Sequence, residues 1–368
     1  MKIMLSLSLV ILFATGCATE KVKKELDIPT EKIDLTAFRE QVTDSMPSAF
    51  VKSKRYINLE MQKELNYISV VDKVINTRDR IYVLDKRGKT LVAYDSTGKY
   101  LTKVNAASHE FTNIADFDID KAGLVYLVDG RANRILRYSA AFSLLSFRDA
   151  PYDIDVIDCL PDGGFLFGLA SWNDRENKND KLIRANGFLE AENTFLSYDD
   201  FVDDDFWITG YRFLKTEKET FYNKPLDNDV YTFSPAGEVR KKYTFDFGKM
   251  NVPQQDKKDI EKKISNYDSY RLLSEFTYID EHYALGRLWD KRKFRFFYAD
   301  RKRKELYLED LSAIGELSHI MDFDGRRLLT VIYPGEYDEK VFKELSEEAR
   351  THLKAGGFVL CEYEMNAD

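Results

Sequence analysis

Ile81-Tyr82-Val83-Leu84-Asp85, then Leu91-Val92-Ala93-Tyr94-Asp95, then the turn Ser96-Thr97-Gly98-Lys99 and Tyr100-Leu101: this stretch decides the fold. Short apolar blocks that alternate with polar residues and are bounded by Gly, Asp and Asn read as strands joined by tight turns. A second copy follows. Phe117-Asp118-Ile119-Asp120-Lys121-Ala122-Gly123 leads into Leu124-Val125-Tyr126-Leu127-Val128-Asp129-Gly130 and then Arg134-Ile135-Leu136-Arg137-Tyr138. Each copy supplies about four short strands, the size of one propeller blade.

Working outward, weaker copies continue to the end of the chain. The third has Tyr152 to Leu160, the turn Pro161-Asp162-Gly163-Gly164, and Phe165 to Leu169. The fourth runs from about Trp207 to Phe247. The fifth has Glu275 to Asp280, Tyr283 to Leu288 and Phe294 to Tyr298, and the sixth has Ile320 to Asp324, Leu328 to Tyr333 and Phe358 to Glu362. The first two copies are spaced like blades of about 40–50 residues; the later ones need insertions. Two insertions read as helical, Pro253 to about Tyr267 and Glu336 to Lys354, the second stopped by Gly356-Gly357.

The sixth copy is one strand short, and Arg55 to Met61 belongs to no copy. Pairing that early strand with the last blade would close the ring and remove exposed edges. The expected fold is therefore all-β: a six-bladed β-propeller of four-stranded antiparallel blades over residues 51–368, with one or two short helical insertions.

Lys2, the apolar run Ile3 to Phe13, and the small residues Ala14, Thr15 and Gly16 before Cys17 form an export signal. Eleven residues, broken only by Ser6 and Ser8, at about 1.5 Å each cannot span a hydrocarbon core of about 30 Å. Ala-Thr-Gly-Cys resembles the lipobox of bacterial lipoproteins, with Ala14 where Leu is more usual. That resemblance implies removal of residues 1–16 and lipid on Cys17. Residues 17–50 are then expected to be a polar tether, with a short helix around Leu35 to Val42, and the sixth blade is expected to lie nearest the membrane attachment.

The tandem Ile-Tyr-Val-Leu-Asp and Val-Tyr-Leu-Val-Asp-Gly strands resemble the NHL-like six-bladed β-propellers, in particular the exported lipoproteins of that fold. The match is close over 68–150. It implies a toroid with a central channel, attached to the cell envelope at the outer membrane. It implies no activity, because propellers host enzymes, lectins and scaffolds alike.

The formal charge of −8 gives no overall attraction to nucleic acid or to anionic lipid. The 22 Tyr, 25 Phe and 3 Trp favour strands. Cys159 and Cys361 lie in strand-like stretches of distant repeats and are expected to be free thiols, although an exported protein could pair them. No Cys/His set has zinc spacing, and no Gly-x-Ser-x-Gly, phosphate loop or dinucleotide fingerprint occurs.

Carboxylates are the first candidates for chemistry. Asp116, Asp118 and Asp120 are spaced by two and project to one side of a strand, as do Asp153 with Asp155 and Asp322 with Asp324. Lining a channel, they could bind calcium or polarise a substrate, as in propeller lactonases and lyases; the competing reading is Asp bonded to local backbone. The acidic run Asp199, Asp200 and Asp203 to Asp205 reads as a solvated loop. His282 follows Asp280 at the end of the inner strand that Glu275 begins, and His319 begins another; the two histidines could share the channel mouth and act as base or ligand. Four histidines are too few for a multi-His metal site, so no metal is assigned. Trp172, Trp207 and Trp289 could stack on a sugar or anchor a protein; packing between blades is the alternative.

The composite expectation is a monomeric, lipid-anchored binding or scaffold propeller engaging a protein or glycan on one face. A metal-assisted lactonase or lyase using Asp118, Asp120, Asp155, Glu275, Asp280, His282 and His319 is the alternative. Convergence of these side chains at one channel mouth would favour the enzyme.

Overall fold

The computed structural model describes residues 27–62, 65–198, 211–224, 226–258, 260, 268–310 and 315–366. Three strands come first: β1 (Thr30–Asp34), β2 (Arg39–Thr43) and β3 (Val51–Asn58). Blade 1 follows as β4 (Lys73–Asn76), β5 (Arg80–Asp85), β6 (Thr90–Asp95) and β7 (Tyr100–Asn105). Blade 2 is β8 (Asp116–Ile119), β9 (Val125–Asp129), β10 (Arg134–Tyr138) and β11 (Leu144–Asp149). Blade 3 is β12 (Ile154–Cys159), β13 (Phe165–Leu169), β14 (Asp180–Ala185) and β15 (Ala191–Ser197).

Blade 4 is β16 (Leu214–Lys215), β17 (Thr220–Lys224), β18 (Asp229–Phe233) and β19 (Val239–Asp246). Blade 5 is β20 (Leu272–Ile279), β21 (Tyr283–Asp290), β22 (Lys293–Asp300) and β23 (Glu305–Glu309). Blade 6 is β24 (Ile320–Phe323), β25 (Arg327–Ile332) and β26 (Val359–Met365), completed by β3, which pairs antiparallel with β26 from Asn58↔Val359 to Val51↔Met365. The protein is a six-bladed β-propeller, and the early strand does close the ring.

The continuous apolar runs have a packing reason. Successive residues of a strand face opposite sides, and here both sides are covered by neighbouring blades. Ile81 and Val83 pack towards Val331 and Leu360 of blade 6, while Tyr82 and Leu84 pack towards Phe117 and Leu127 of blade 2. Full burial of each such aliphatic side chain contributes about 1.5–3 kcal/mol.

The repeated Asp at the end of the second strand is a backbone clamp. Asp85 accepts hydrogen bonds from Ser69 N, Ser69 Oγ and Gly88 N; Asp129 accepts from Thr112 N, Thr112 Oγ and Ala132 N. Each carboxylate fastens the segment before the inner strand to a hairpin turn. In blade 5 the equivalent Asp290 holds guanidinium groups instead, Arg271 at 3.1 Å and Arg295 at 2.6 Å. That substitution of side chain for backbone is why the motif fades there.

The largest departure from expectation lies between residues 30 and 43. From Thr30 onward the supposed tether belongs to the ring. β1 adds in parallel to β19, and β2 adds in parallel to β23, so blades 4 and 5 have five strands. The helix expected around Leu35 to Val42 is one 3-10 turn, Leu35–Ala37, followed by β2. Burial of Ile33, Leu35 and Phe38 explains why this polar-looking segment docks. Ion pairs fix it: Lys32 with Asp246 at 2.6 Å, Lys241 with Glu31 at 2.5 Å, and Arg271 with Glu40 at 2.8 Å. β1, β2 and β3 thus form a belt around the rim of blades 4, 5 and 6, and the described chain joins the ring at blade 4, not at blade 6.

The later insertion forms α2 (Glu339–Glu344) and α3 (Glu347–Lys354), after the short α1 (Gln254–Lys257). Asp338 and Ser346 cap α2 and α3 by accepting from Val341 N and Ala349 N. Val341, Leu345, Ala349 and Leu353 bury against blade 6. Most of the helix expected after Lys257 lies outside the described residues. Cys159 and Cys361 are free and buried.

Candidate functional site

The inner strands β4, β8, β12, β16, β20 and β24 all run from one mouth of the channel to the other. The mouth where they begin is called upstream here, and the other downstream. This direction divides the candidate residues. Asp155, Glu275 and His319 lie towards the upstream mouth, Asp118 lies within the channel, and Asp120, Asp280 and His282 lie downstream. They do not converge on one mouth.

The channel is tied across by two lysines. Lys73 Nζ lies 2.8 Å from Asp116 Oδ1 and donates to the Phe117 carbonyl at 2.7 Å. Lys215 Nζ lies 3.0 Å from Asp118 Oδ2 and 2.6 Å from Asp158 Oδ1, and donates to the Cys159 carbonyl at 2.7 Å. The same aspartates accept from the next blade, Asp116 from Ile157 N at 3.0 Å and Asp118 from Cys159 N at 2.6 Å. Blades 1 to 4 are therefore stitched at the axis. Burial works to raise the Asp118 carboxyl, but Lys215 and Lys73 outweigh it and hold it below the usual range. Burial, together with Asp118 alongside, pushes Asp158 up against the pull of Lys215.

Asp322 on β24 sits in this channel without an ion pair as short as these among the described residues. Burial pushes its carboxyl up to about 6, with Arg212 drawing it back. A cavity of about 180 Å³ runs here past Lys73, Asp118, Arg212, Lys215 and Asp322. Asp155 exposes its side chain on the irregular start of β12.

At the upstream mouth Glu275 occupies a break in register between β20 and β21, with φ +53. A non-glycine residue held in that region costs of order 1 kcal/mol or more. The bend aims its carboxylate between two guanidinium groups, Arg287 at 2.5 Å and Arg212 at 3.4 Å. His319 packs at a tilt against Tyr333 with ring centroids 4.5 Å apart, and its Nε2 lies 3.4 Å from Glu336. Burial, reinforced by Arg287, lowers the His319 pKa and favours the neutral ring. Arg212, Arg287, Tyr333 and Glu336 were not read as site residues. Their sequence surroundings are ordinary, and only the ring brings blades 4, 5 and 6 to one point.

Asp120 and Asp280 are turn residues. Asp120 Oδ1 accepts from Ala122 N and Leu124 N; Asp280 Oδ1 accepts from His282 N and Tyr283 N. This is the competing backbone reading for Asp120; Asp280, a channel candidate in the sequence, takes the same role. His282 is half-exposed beside Glu281 at 3.3 Å. It borders a downstream recess of about 1120 Å³ between blades 4, 5 and 6, with Lys54, Lys218, Tyr243, Tyr278 and Arg326 also in its wall. Both signs of charge and two phenols face this space.

Of the tryptophans, Trp172 is 60% exposed on the turn between β13 and β14. Trp289 is a correction: it is buried against Phe294 in the core of blade 5, where the end of β21 meets Tyr270 and Leu272, and it offers no contact surface. Trp207 and the acidic run at 199–205 lie outside the described residues. Among the described residues no three His, Cys, Asp or Glu side chains group to hold a metal ion. No described helix is long and apolar enough to cross a membrane.

A search of solved structures finds a candidate exported protein from Bacteroides fragilis with TM-score 0.71 and 14% identity, covering 92% of this chain and 100% of that one. A streptogramin B lyase covers 85% of this chain and 98% of that one at TM-score 0.45 and 9% identity. BamB from Moraxella catarrhalis covers 76% of this chain and 73% of that one at TM-score 0.40 and 9% identity. The first likeness shows a shared fold; the other two are too weak to carry an argument. No curated protein matches the sequence. A family model described as a domain of unknown function, DUF4934, matches residues 30–355, the span that begins with the first belt strand and reaches into the sixth blade, short of β26; the chain belongs to the DUF4934 family.

Proposed function

We propose that this chain is an extracytoplasmic binding or scaffold propeller that engages a protein or glycan in the downstream recess. The observation that carries the reading is the contrast between the channel and the recess. Asp116, Asp118 and Asp158 are spent on blade-to-blade ties, as is Glu275 on Arg212 and Arg287. The recess beside them is wide and lined by mixed charge and tyrosine. A preformed concave surface with a few polar groups is the usual form of a binding site.

Export with lipid on Cys17 belongs to the same reading, supported by the apolar run at 3–13 and the small residues before Cys17. β1 runs parallel to β19, so Thr30 stands at the downstream end of blade 4. A tether leaving from there would turn the recess towards the membrane, at a reach of up to about 3.4 Å per residue.

Fractionation of cells carrying Cys17→Ser tests the anchor: the variant leaves the membrane fraction if the reading holds and stays there if it fails. A glycan array and cross-linking with the lipid-free chain test the recess. Lys218→Glu combined with Tyr278→Ala abolishes the ligands found; unchanged binding with an unchanged melting curve refutes the recess.

A second reading has one observation in its favour. The bent Glu275 and neutral His319 at the upstream mouth resemble a strained acid–base pair. A lactonase or lyase screen, with and without calcium, on wild type and His319→Ala decides it. Turnover lost in the variant supports an enzyme; no turnover on either protein leaves the binding propeller.

A further inference from the structure

The belt divides the rim into two halves. Blades 4 and 5 have their outer edges covered by β1 and β2, and blade 6 is completed by β3. Blades 1, 2 and 3 end in β7, β11 and β15, whose outer edges pair with no strand among the described residues. Unprotected edges are templates for another strand, and proteins usually guard them with charge, bulges or a cover.

Blade 2 departs from that practice. All six residues of β11 are exposed, and they include Leu144, Leu145 and Phe147, the last at 55%. Beside this edge lies a wedge of about 320 Å³ between blades 2 and 3. Tyr126, Phe165 and Phe188 form aromatic walls, and Arg137 and Arg148 are the charged residues that line it. No Asp or Glu lines this space, although the chain as a whole is acidic. The Arg137 Nε is buried and has no hydrogen-bond partner. The Arg148 guanidinium lies 5.4 Å from the centroid of Phe188, which is 75% exposed. Neither arginine forms an ion pair among the described residues.

The other half of the rim shows what such an edge accepts. Each added strand there is extended, and each carries a glutamate to a cation on the blade that receives it: Glu31 of β1 to Lys241, and Glu40 of β2 to Arg271. The blade 2 edge presents arginine and apolar side chains, and Asp149, the one acid on β11, does not line the wedge.

We propose that β11 and the adjoining wedge form a docking site for an extended, apolar segment of a partner protein. The segment adds to blade 2 as a fifth strand and places an acidic side chain against Arg137 and Arg148. Main-chain pairing supplies affinity in this mode, and side-chain pockets supply selectivity. A carboxylate held between two guanidinium groups and aromatic walls gains charge-assisted hydrogen bonds in a partly dry space. This site is separate from the downstream recess, so either can fail without the other.

The test uses the chain from Ala18 onward and a fluorescent ten-residue peptide of alternating Val and Thr with one central Glu, followed by anisotropy. Its control has Lys in place of that Glu. The acidic peptide is expected to bind at least about tenfold more tightly than the basic one, which corresponds to a difference of about 1.4 kcal/mol. Arg137→Ala with Arg148→Ala removes the preference. Leu145→Lys with Phe147→Lys removes binding of both peptides while the melting curve stays in place. Equal affinity for the two peptides, or binding unchanged in the β11 variant, overturns the proposal. A concentration-dependent dimer of the wild type that the β11 variant abolishes assigns the edge to a second copy and overturns it as well. If the surface variants melt early, wild-type exchange of the β11 amides is measured with and without the acidic peptide; absence of protection overturns the proposal.

Discussion

Lys215 of blade 4 reaches past blade 3 to put its ammonium 3.0 Å from Asp118 of blade 2. The same ammonium holds Asp158 at 2.6 Å. One cation therefore faces two carboxylates from different blades. Breaking a fully buried pair by removing one partner costs about 3–5 kcal/mol. Water in the channel reaches part of the lysine stem, so Lys215→Met is expected to cost about 2–3 kcal/mol, less than that limit. Urea unfolding measures it, and adding Asp118→Asn and Asp158→Asn should restore part of the loss.

Asp322 gives a pH dependence of known sign. Its native carboxyl is pushed up to about 6 by burial, against an ordinary value of 3.8. Between those values the folded protein holds more protons than the unfolded chain, so stability falls as pH rises through the window. Above about pH 6 the loss is complete. Asp322→Asn is expected to raise stability at pH 7.5 by about 1–2 kcal/mol, allowing for water in the channel, and to flatten the profile between pH 4 and 6. Thermal melts at several pH values check it; a profile with the same slope in the variant contradicts the assignment.

The backbone at Glu275 can be separated from its charge. Glu275→Gln keeps a side chain at φ +53 but gives up the ionic clamp between Arg212 and Arg287. Glu275→Gly gives up the clamp too, but adopts that φ freely. The glycine variant is expected to be more stable than the glutamine variant by about 1 kcal/mol. Both should be less stable than wild type in chemical denaturation.

The belt should be a structural part of the ring. Removing residues up to 44 strips Ile33, Leu35 and Phe38 from their buried sites, along with the Glu40 partner of Arg271. Burial of three such side chains contributes about 5 kcal/mol or more. The shortened chain should melt lower and aggregate through the bared edges of β19 and β23. Light scattering during a thermal ramp reads both effects. A chain that melts and scatters like wild type would make the belt a passive wrap.

Blades 1 and 2 were legible because their strands carry an undiluted pattern. Both faces are buried, the turns hold Gly, and Asp85 and Asp129 close the second strands on backbone groups. Blade 5 was harder, since Asp290 performs the same fastening through Arg271 and Arg295, which no short motif announces. β1 and β2 were misread as tether and helix because their polarity describes one exposed face. Their burial depends on Phe245 and Leu306, more than 200 residues away. The candidate site was legible only in part. Glu275 and His319 stand out in the sequence as inner-strand candidates, but His282, expected to share a mouth with His319, lies at the other end of the channel, and Arg212 and Arg287 come from a turn and a strand without a local signal.

Local pattern alone determined that this chain is built of short strands in six repeats and that a strand near residue 55 closes the ring. Strand periodicity and turn chemistry are written within a few residues of each other. What each carboxylate does was decided only by the tertiary structure. Asp118 is a tie, Asp120 and Asp280 are turn residues, Asp322 is a strained buried acid, and Glu275 sits between two arginines. The charge a side chain keeps depends on the field of groups brought near it, and in a closed ring those groups come from blades distant in sequence.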